Sequence, residues 1–346
     1  MDGKKKDFNI GLAFIRIWMS FEVVLCHFWK QGKPELGDPL WIFSRMAQMA
    51  VPVFMLISFI LTEKVIRYGK KQEVISRYNR LLIPYITWPI ICWSVYALME
   101  KRFSFDLING MEDLGWQLLL GSSGYVTPQL RYQFDLMVLT LIFIAVFKII
   151  KNNDHESCIL CVIMIAALIL QYSDLHGDFF EEARFEIKYS LGRLCEMIPY
   201  ACMGILIQRY DLLNRVKKRR YETMLICVLM LGFLLRYEIF ECPSGYGYQG
   251  MNSVCVAFFM VVLFYIAPFD KMPEFIIKII AGISKYSLGI FCMHVMIGTI
   301  LNLMVFPKFG WRTNTFKECI LIYMICWASS YLVAKIPFQF GKRMVI

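Results

Sequence analysis

Residues 8–29 read Phe-Asn-Ile-Gly-Leu-Ala-Phe-Ile-Arg-Ile-Trp-Met-Ser-Phe-Glu-Val-Val-Leu-Cys-His-Phe-Trp, an apolar run interrupted by Arg16, Glu22 and His27. A run of about 20 apolar residues is long enough to cross a bilayer as a helix. Arg16 and His27 stand eleven positions apart. Eleven residues turn a helix about 20° past three full turns, so both side chains leave one stripe, with Ser20 and Val23 between them. An ionisable residue inside a span is costly and marks function by default. Arginine and histidine in register therefore point to a reaction site rather than an anchor. Histidine takes and returns a proton near neutral pH. Arg16 orients the imidazole through a partner or holds an anionic group, because eleven residues rise about 16 Å and direct contact is out of reach. Glu22 lies about 140° around the helix from His27 and is expected to pair with a basic residue of another span.

The rest of the chain repeats the apolar pattern. Of 346 residues, 58% are hydrophobic and 18% charged, with a mean hydropathy of +0.54. That is more apolar and less charged than a soluble domain. The fold class is all-α, a polytopic transmembrane helix bundle. About ten spans are expected, near 8–29, 46–63, 80–98, 132–150, 158–172, 191–208, 222–240, 251–267, 283–306 and 317–337. With the N-terminus cytoplasmic, the inner connections hold 23 of the 37 Lys and Arg residues, against about 12 outside. This bias fits both termini on the cytoplasmic side. The net charge of +10 is thereby read as topology and contact with membrane lipids, not as nucleic-acid binding. Residues 1–346 are expected to form a single membrane-embedded domain with no soluble domain appended. The first span lacks a small-x-small cleavage site and is expected to be retained. Residues 99–131 and the acidic 173–190 read as outer connections. The twelve cysteines fall mostly in apolar runs, where they act as small hydrophobes. Cys158 and Cys161 lack a second pair or a nearby histidine, so no metal is expected.

Arg77-Tyr78-Asn79-Arg80 opens the third span on the cytoplasmic side. Two arginines three residues apart lie near one helical face and can grip phosphates. A nucleotide-bearing donor from the cytosol needs such a pair, although anchoring by positive charge accounts for it equally. His294 is the other histidine inside a span, and either meets His27 across the bundle or bonds a backbone group. His155 and His176 fall in polar connections and read as solvated. Arg193 with Glu196, and Arg131 with Asp135, have the spacing of neutralising pairs within one helix.

At these residues the sequence resembles the acyltransferase 3 family of integral membrane acyltransferases. Arg16 and His27 match its arginine, ten residues, histidine motif, and Arg77 and Arg80 its arginine-x-x-arginine motif. Ser44-Arg45 through Ala50-Val51-Pro52-Val53-Phe54-Met55-Leu56-Ile57-Ser58 resembles its second span, with Phe59 where a glycine is usual. Pro199-Tyr200-Ala201-Cys202-Met203-Gly204-Ile205-Leu206 resembles the sixth span. Ile283-Ser284 to His294 resembles the ninth, closest to the enterobacterial common antigen O-acetyltransferase type. The family's Leu-Trp-Phe-Leu run reads Leu130-Arg131-Tyr132-Gln133-Phe134 here. The resemblance implies transfer of an acyl group, usually acetyl from acetyl-CoA, to a hydroxyl of an envelope or exported glycan in a bacterial inner membrane. On that basis Arg16 and His27 are the expected catalytic residues, with His27 as general base or covalent acyl carrier. Arg77 and Arg80 are expected to hold acetyl-CoA, and His294 and Arg45 a carbohydrate acceptor, free or lipid-linked. Intramembrane charge in a ten-span chain also fits a transporter or flippase for a lipid-linked glycan. A non-catalytic receptor or assembly partner is a third reading.

Overall fold

The computed structural model describes residues 9–29, 47–99, 107–121, 127–150, 153–172, 185–240, 250–311, 315–336 and 339–346. These residues form helices and no strand. The helices are α1 (Ile10–Phe28), α2 (Ala50–Tyr68), α3 (Lys71–Leu98), α4 (Leu107–Leu120), α5 (Arg131–Ile149), α6 (Asn153–Tyr172) and α7 (Phe185–Arg209). They continue with α8 (Leu212–Lys217), α9 (Arg220–Phe240), α10 (Gly250–Ile266), α11 (Glu274–Ser284), α12 (Ser287–Ile300), α13 (Phe316–Lys335) and α14 (Gln339–Val345). Each of the ten stretches expected to span contains a helix. Six helices are long and apolar enough to cross a membrane: α1, α3, α5, α7, α12 with the turns that extend it to Phe309, and α13. The chain is an integral membrane protein on this ground.

Asn9 sets the start of α1: its side chain accepts a hydrogen bond from the Leu12 N–H at 2.9 Å and donates to the Tyr265 carbonyl at 3.3 Å. Such a cap satisfies an orphan donor of the first turn and fixes the helix phase. From there α1 runs through the middle of the bundle, packed against α2, α10, α11, α12 and α13. Ile15, Met19 and Val24 are fully buried along it.

The closest helix pair is α2 with α7. Phe59 stands where close backbone packing calls for glycine, and the facing helix supplies it instead. A Cβ at Gly204 of α7 would lie 2.7 Å from the Leu56 carbonyl oxygen and 2.9 Å from Phe59 Cβ. Overpacking of such a contact costs about 1–3 kcal/mol or more. Gly204→Leu is therefore expected to lower the thermal midpoint of the purified protein. Gly232→Leu, where a Cβ meets nothing within 4 Å, is expected to leave it unchanged.

Buried ion pairs tie the helices, and they differ from the pairs expected within single helices. Arg193 does not neutralise Glu196; it reaches from α7 to Asp135 of α5, with Nε to Oδ2 at 2.6 Å and Nη2 to Oδ1 at 2.8 Å. A bidentate partner on a neighbouring helix outcompetes a helical neighbour three residues away. Arg131, freed from Asp135, donates to the Tyr189 hydroxyl at 2.5 Å. Glu22 takes its hydrogen bond not from a basic residue but from Trp18 Nε1 at 2.6 Å, one turn back on α1. A second knot joins α2, α6 and α7: Arg67 and Arg209 both bond Glu156, and Arg67 lies 3.6 Å from Glu63. The connection 99–131 is not wholly a loop, because it contains α4. The Tyr85 hydroxyl donates to the Gln117 carbonyl, and Ser190 Oγ to the Leu120 carbonyl at 2.7 Å, pinning α4 to α3 and α7.

Candidate functional site

The site forms where α1 meets α12. Three contacts advance together along the two chains, so the helices run parallel. Arg16 Nη2 donates to Ser287 Oγ at 2.9 Å. His27 faces His294, with ring centroids 5.0 Å apart and planes at 51°. Phe28 lies over Gly298, where a Cβ would stand 2.3 Å from its ring. His294 and Gly298 are one turn apart on α12, so the missing side chain lets the end of α1 settle onto the His294 face. The stripe read from Arg16 and His27 is thus the surface that α1 turns to α12.

Arg16 and His27 do not touch. Ser287 donates its own hydroxyl proton to the Ser284 carbonyl at 2.9 Å, which leaves its lone pairs for Arg16. The expected single rod over 283–306 is broken here: α11 ends at Ser284 and α12 begins at Ser287. That break supplies both groups that hold the guanidinium.

His294 is fully buried, and its Nδ1 bonds the Phe291 carbonyl at 2.8 Å. A carbonyl only accepts, so Nδ1 carries the proton and Nε2 of the neutral ring keeps a lone pair. That Nε2 has no hydrogen-bond partner among the described residues. His27 is half-buried beside it, with one ring open to a proton donor and the other acting as neighbour.

Tyr132 connects this end of the site to Arg77. Its hydroxyl pairs with Ser58 Oγ at 2.9 Å, and it lies within electrostatic reach of both Arg16 and Arg77. Its ring packs on Phe291 at 5.6 Å and Phe54 at 6.3 Å. Arg77 turns inward, and its Nε and Nη2 are buried without a partner among the described residues. Arg80 stays exposed. The two arginines are therefore separated in depth rather than presented as one flat clamp. A buried guanidinium without an acceptor is costly, and an anion relieves the cost.

Gln129 and Gln133 complete the surround. Gln129 Nε2 donates to the Cys292 carbonyl at 3.1 Å, and Gln133 Nε2 lies 3.6 Å from Cys292 Sγ. These residues and Tyr132 are not foreseen from the sequence. Their signal was the stretch Leu130-Arg131-Tyr132-Gln133-Phe134, whose polar residues open an otherwise apolar helix. Arg45 and His176 lie outside the described residues. His155 is exposed on α6, apart from the site. Among the described residues no three His, Cys, Asp or Glu side chains gather as a metal set.

The family model described as an acyltransferase domain matches residues 9–334. No curated protein and no solved structure matches the chain.

Proposed function

The chain belongs to the acyltransferase 3 family, and from that membership we propose that it is an O-acetyltransferase, moving acetyl from acetyl-CoA to a hydroxyl of a cell-surface or exported carbohydrate. One observation carries the reading. A buried, unneutralised Arg77 and a His27–His294 pair share one polar core through Tyr132 and Arg16. An anion-holding group at one end and a proton acceptor at the other are what transfer from a phosphate-bearing thioester to a hydroxyl requires.

In this reading acetyl-CoA enters from the cytosol, with Arg77 on its inner phosphate and Arg80 on its exposed ones. His27 takes the proton of the acceptor hydroxyl as its oxygen attacks the thioester carbonyl. The new C–O bond forms, the C–S bond breaks, and the thiolate of CoA recovers the proton from the imidazolium. Tyr132 and Ser287 fix Arg16 beside this path. Together with the six longer helices, α2, α6, α9 and α10 also span. That makes ten spans, with both termini on the cytoplasmic side of a bacterial inner membrane. The bias of Lys and Arg to the inner connections supports that orientation.

The test is release of free CoA from acetyl-CoA by purified protein in nanodiscs, with a glycolipid extract of the native cells as acceptor. Turnover that depends on the extract is expected. Arg77→Ala is expected to raise the KM for acetyl-CoA at least tenfold, because a charge-assisted hydrogen bond contributes about 1.5–3 kcal/mol. Arg77→Lys should recover part of it. Folded protein that neither binds acetyl-CoA nor releases CoA would turn the assignment to a glycan transporter.

A further inference from the structure

Beside the histidine pair stands a cluster of buried acceptors that acetyl transfer itself does not use. Gln133 is fully buried and Gln129 is 6% exposed. They are one helical turn apart, and both direct their Nε2 groups at Cys292, one at its carbonyl and one at its sulfur. Anchoring both amides on a single residue brings their oxygens together. Neither Oε1 has a partner among the described residues, and neither has His294 Nε2, two positions along α12 from Cys292. A buried polar group in a native protein is ordinarily satisfied. Three unsatisfied acceptors around one residue call for a ligand that brings several donors into a small volume.

The thioester carbonyl brings none. The pantetheine arm of CoA offers two amide N–H groups separated by a spacer, and its phosphate end is drawn to Arg77. Neighbouring hydroxyls of a sugar ring offer donors at the close spacing that two converging amides match. A transporter of anions would need donors here, not acceptors.

We infer that Gln129 and Gln133 form, with His294, the subsite that reads the acceptor sugar, bonding hydroxyls adjacent to the one that His27 deprotonates. The assignment rests on the acetyl-transfer reading and adds the residues that choose the acceptor. Gln133 lies in the stretch where this chain departs from its family's pattern. Acceptor choice is therefore a property of this chain in particular.

The test compares full-length wild type with Gln129→Leu, Gln133→Leu and Gln133→Glu in nanodiscs, using CoA release and the same glycolipid extract. The leucine variants are expected to raise the KM for the extract about tenfold or more, the loss of one hydrogen bond to a neutral donor. The KM for acetyl-CoA should stay within twofold. Gln133→Glu keeps an acceptor oxygen and should recover most of the loss. A rise in the acetyl-CoA KM instead would give the amides to the donor arm and overturn the assignment. So would unchanged constants, or loss of folded protein in all three variants. A wild-type chain that releases no CoA would remove the acetyl-transfer reading itself, and this subsite with it.

Discussion

His27→Ala is expected to lower glycan acetylation by about 10²–10⁴-fold, the contribution of a positioned general base. Membrane level and acetyl-CoA affinity should stay near wild type. The ring is half-buried, so its loss opens no large cavity, and the Arg77 end of the site is untouched. His294→Gln makes the complementary case. It retains bulk but removes the imidazole lone pair that faces His27 across 5.0 Å. Its effect should fall on kcat rather than on the KM for acetyl-CoA. Mass spectrometry of the glycan reports both. Wild-type acetylation in His27→Ala would sink the catalytic assignment.

Glu156→Ala is expected to cause the largest loss of stability. The carboxylate answers both Arg67 and Arg209, whose side chains are 8% and 9% exposed. Its removal leaves Glu63 as a partner for Arg67 alone, at 3.6 Å. Stripping one partner from a buried ionic group costs about 3–5 kcal/mol, because the remaining charge stays buried and uncompensated. A lowered thermal midpoint and a smaller folded fraction in detergent are the readouts. Replacing Glu156, Arg67 and Arg209 together by apolar residues should recover much of the loss, since no unpaired charge then remains. The surviving folded Glu156→Ala protein should keep the wild-type KM for acetyl-CoA, which separates this knot from the reacting groups. An unchanged midpoint would show that the knot contributes nothing.

What could be read beforehand was what helical periodicity fixes. Arg16 and His27 share a face because the helix turns 3.6 residues at a time, and nothing elsewhere in the fold alters that. The helical class followed from apolar run length in the same way. Pairing across helices was not legible. Arg193 and Glu196 have good local spacing, yet Asp135 on α5 offers two oxygens in the plane of the guanidinium. Glu22 found Trp18, because the indole is the donor its own helix places over it. The inner turn between Ser284 and Ser287 was hidden inside a continuous apolar run. Only its contact with Arg16 shows why the chain breaks there. Gln129 and Gln133 gave a compositional hint, two amides near an apolar start, but their convergence on Cys292 depends on α12, more than 150 residues away.

The central place of α1 also sets a timetable for biogenesis. Arg16 meets its partner 271 residues later, and Ser20 bonds Tyr323 303 residues later. At about 5–20 residues per second of synthesis, α1 waits on the order of half a minute for α12 and α13. Through that interval an arginine, a glutamate and a histidine sit in a membrane without the surfaces that later enclose them. A helix this polar is drawn back toward water or retained by insertion machinery until the late helices arrive. Slowed insertion or early degradation of nascent chains is thus the exposure that a reaction centre built on the first helix brings with it.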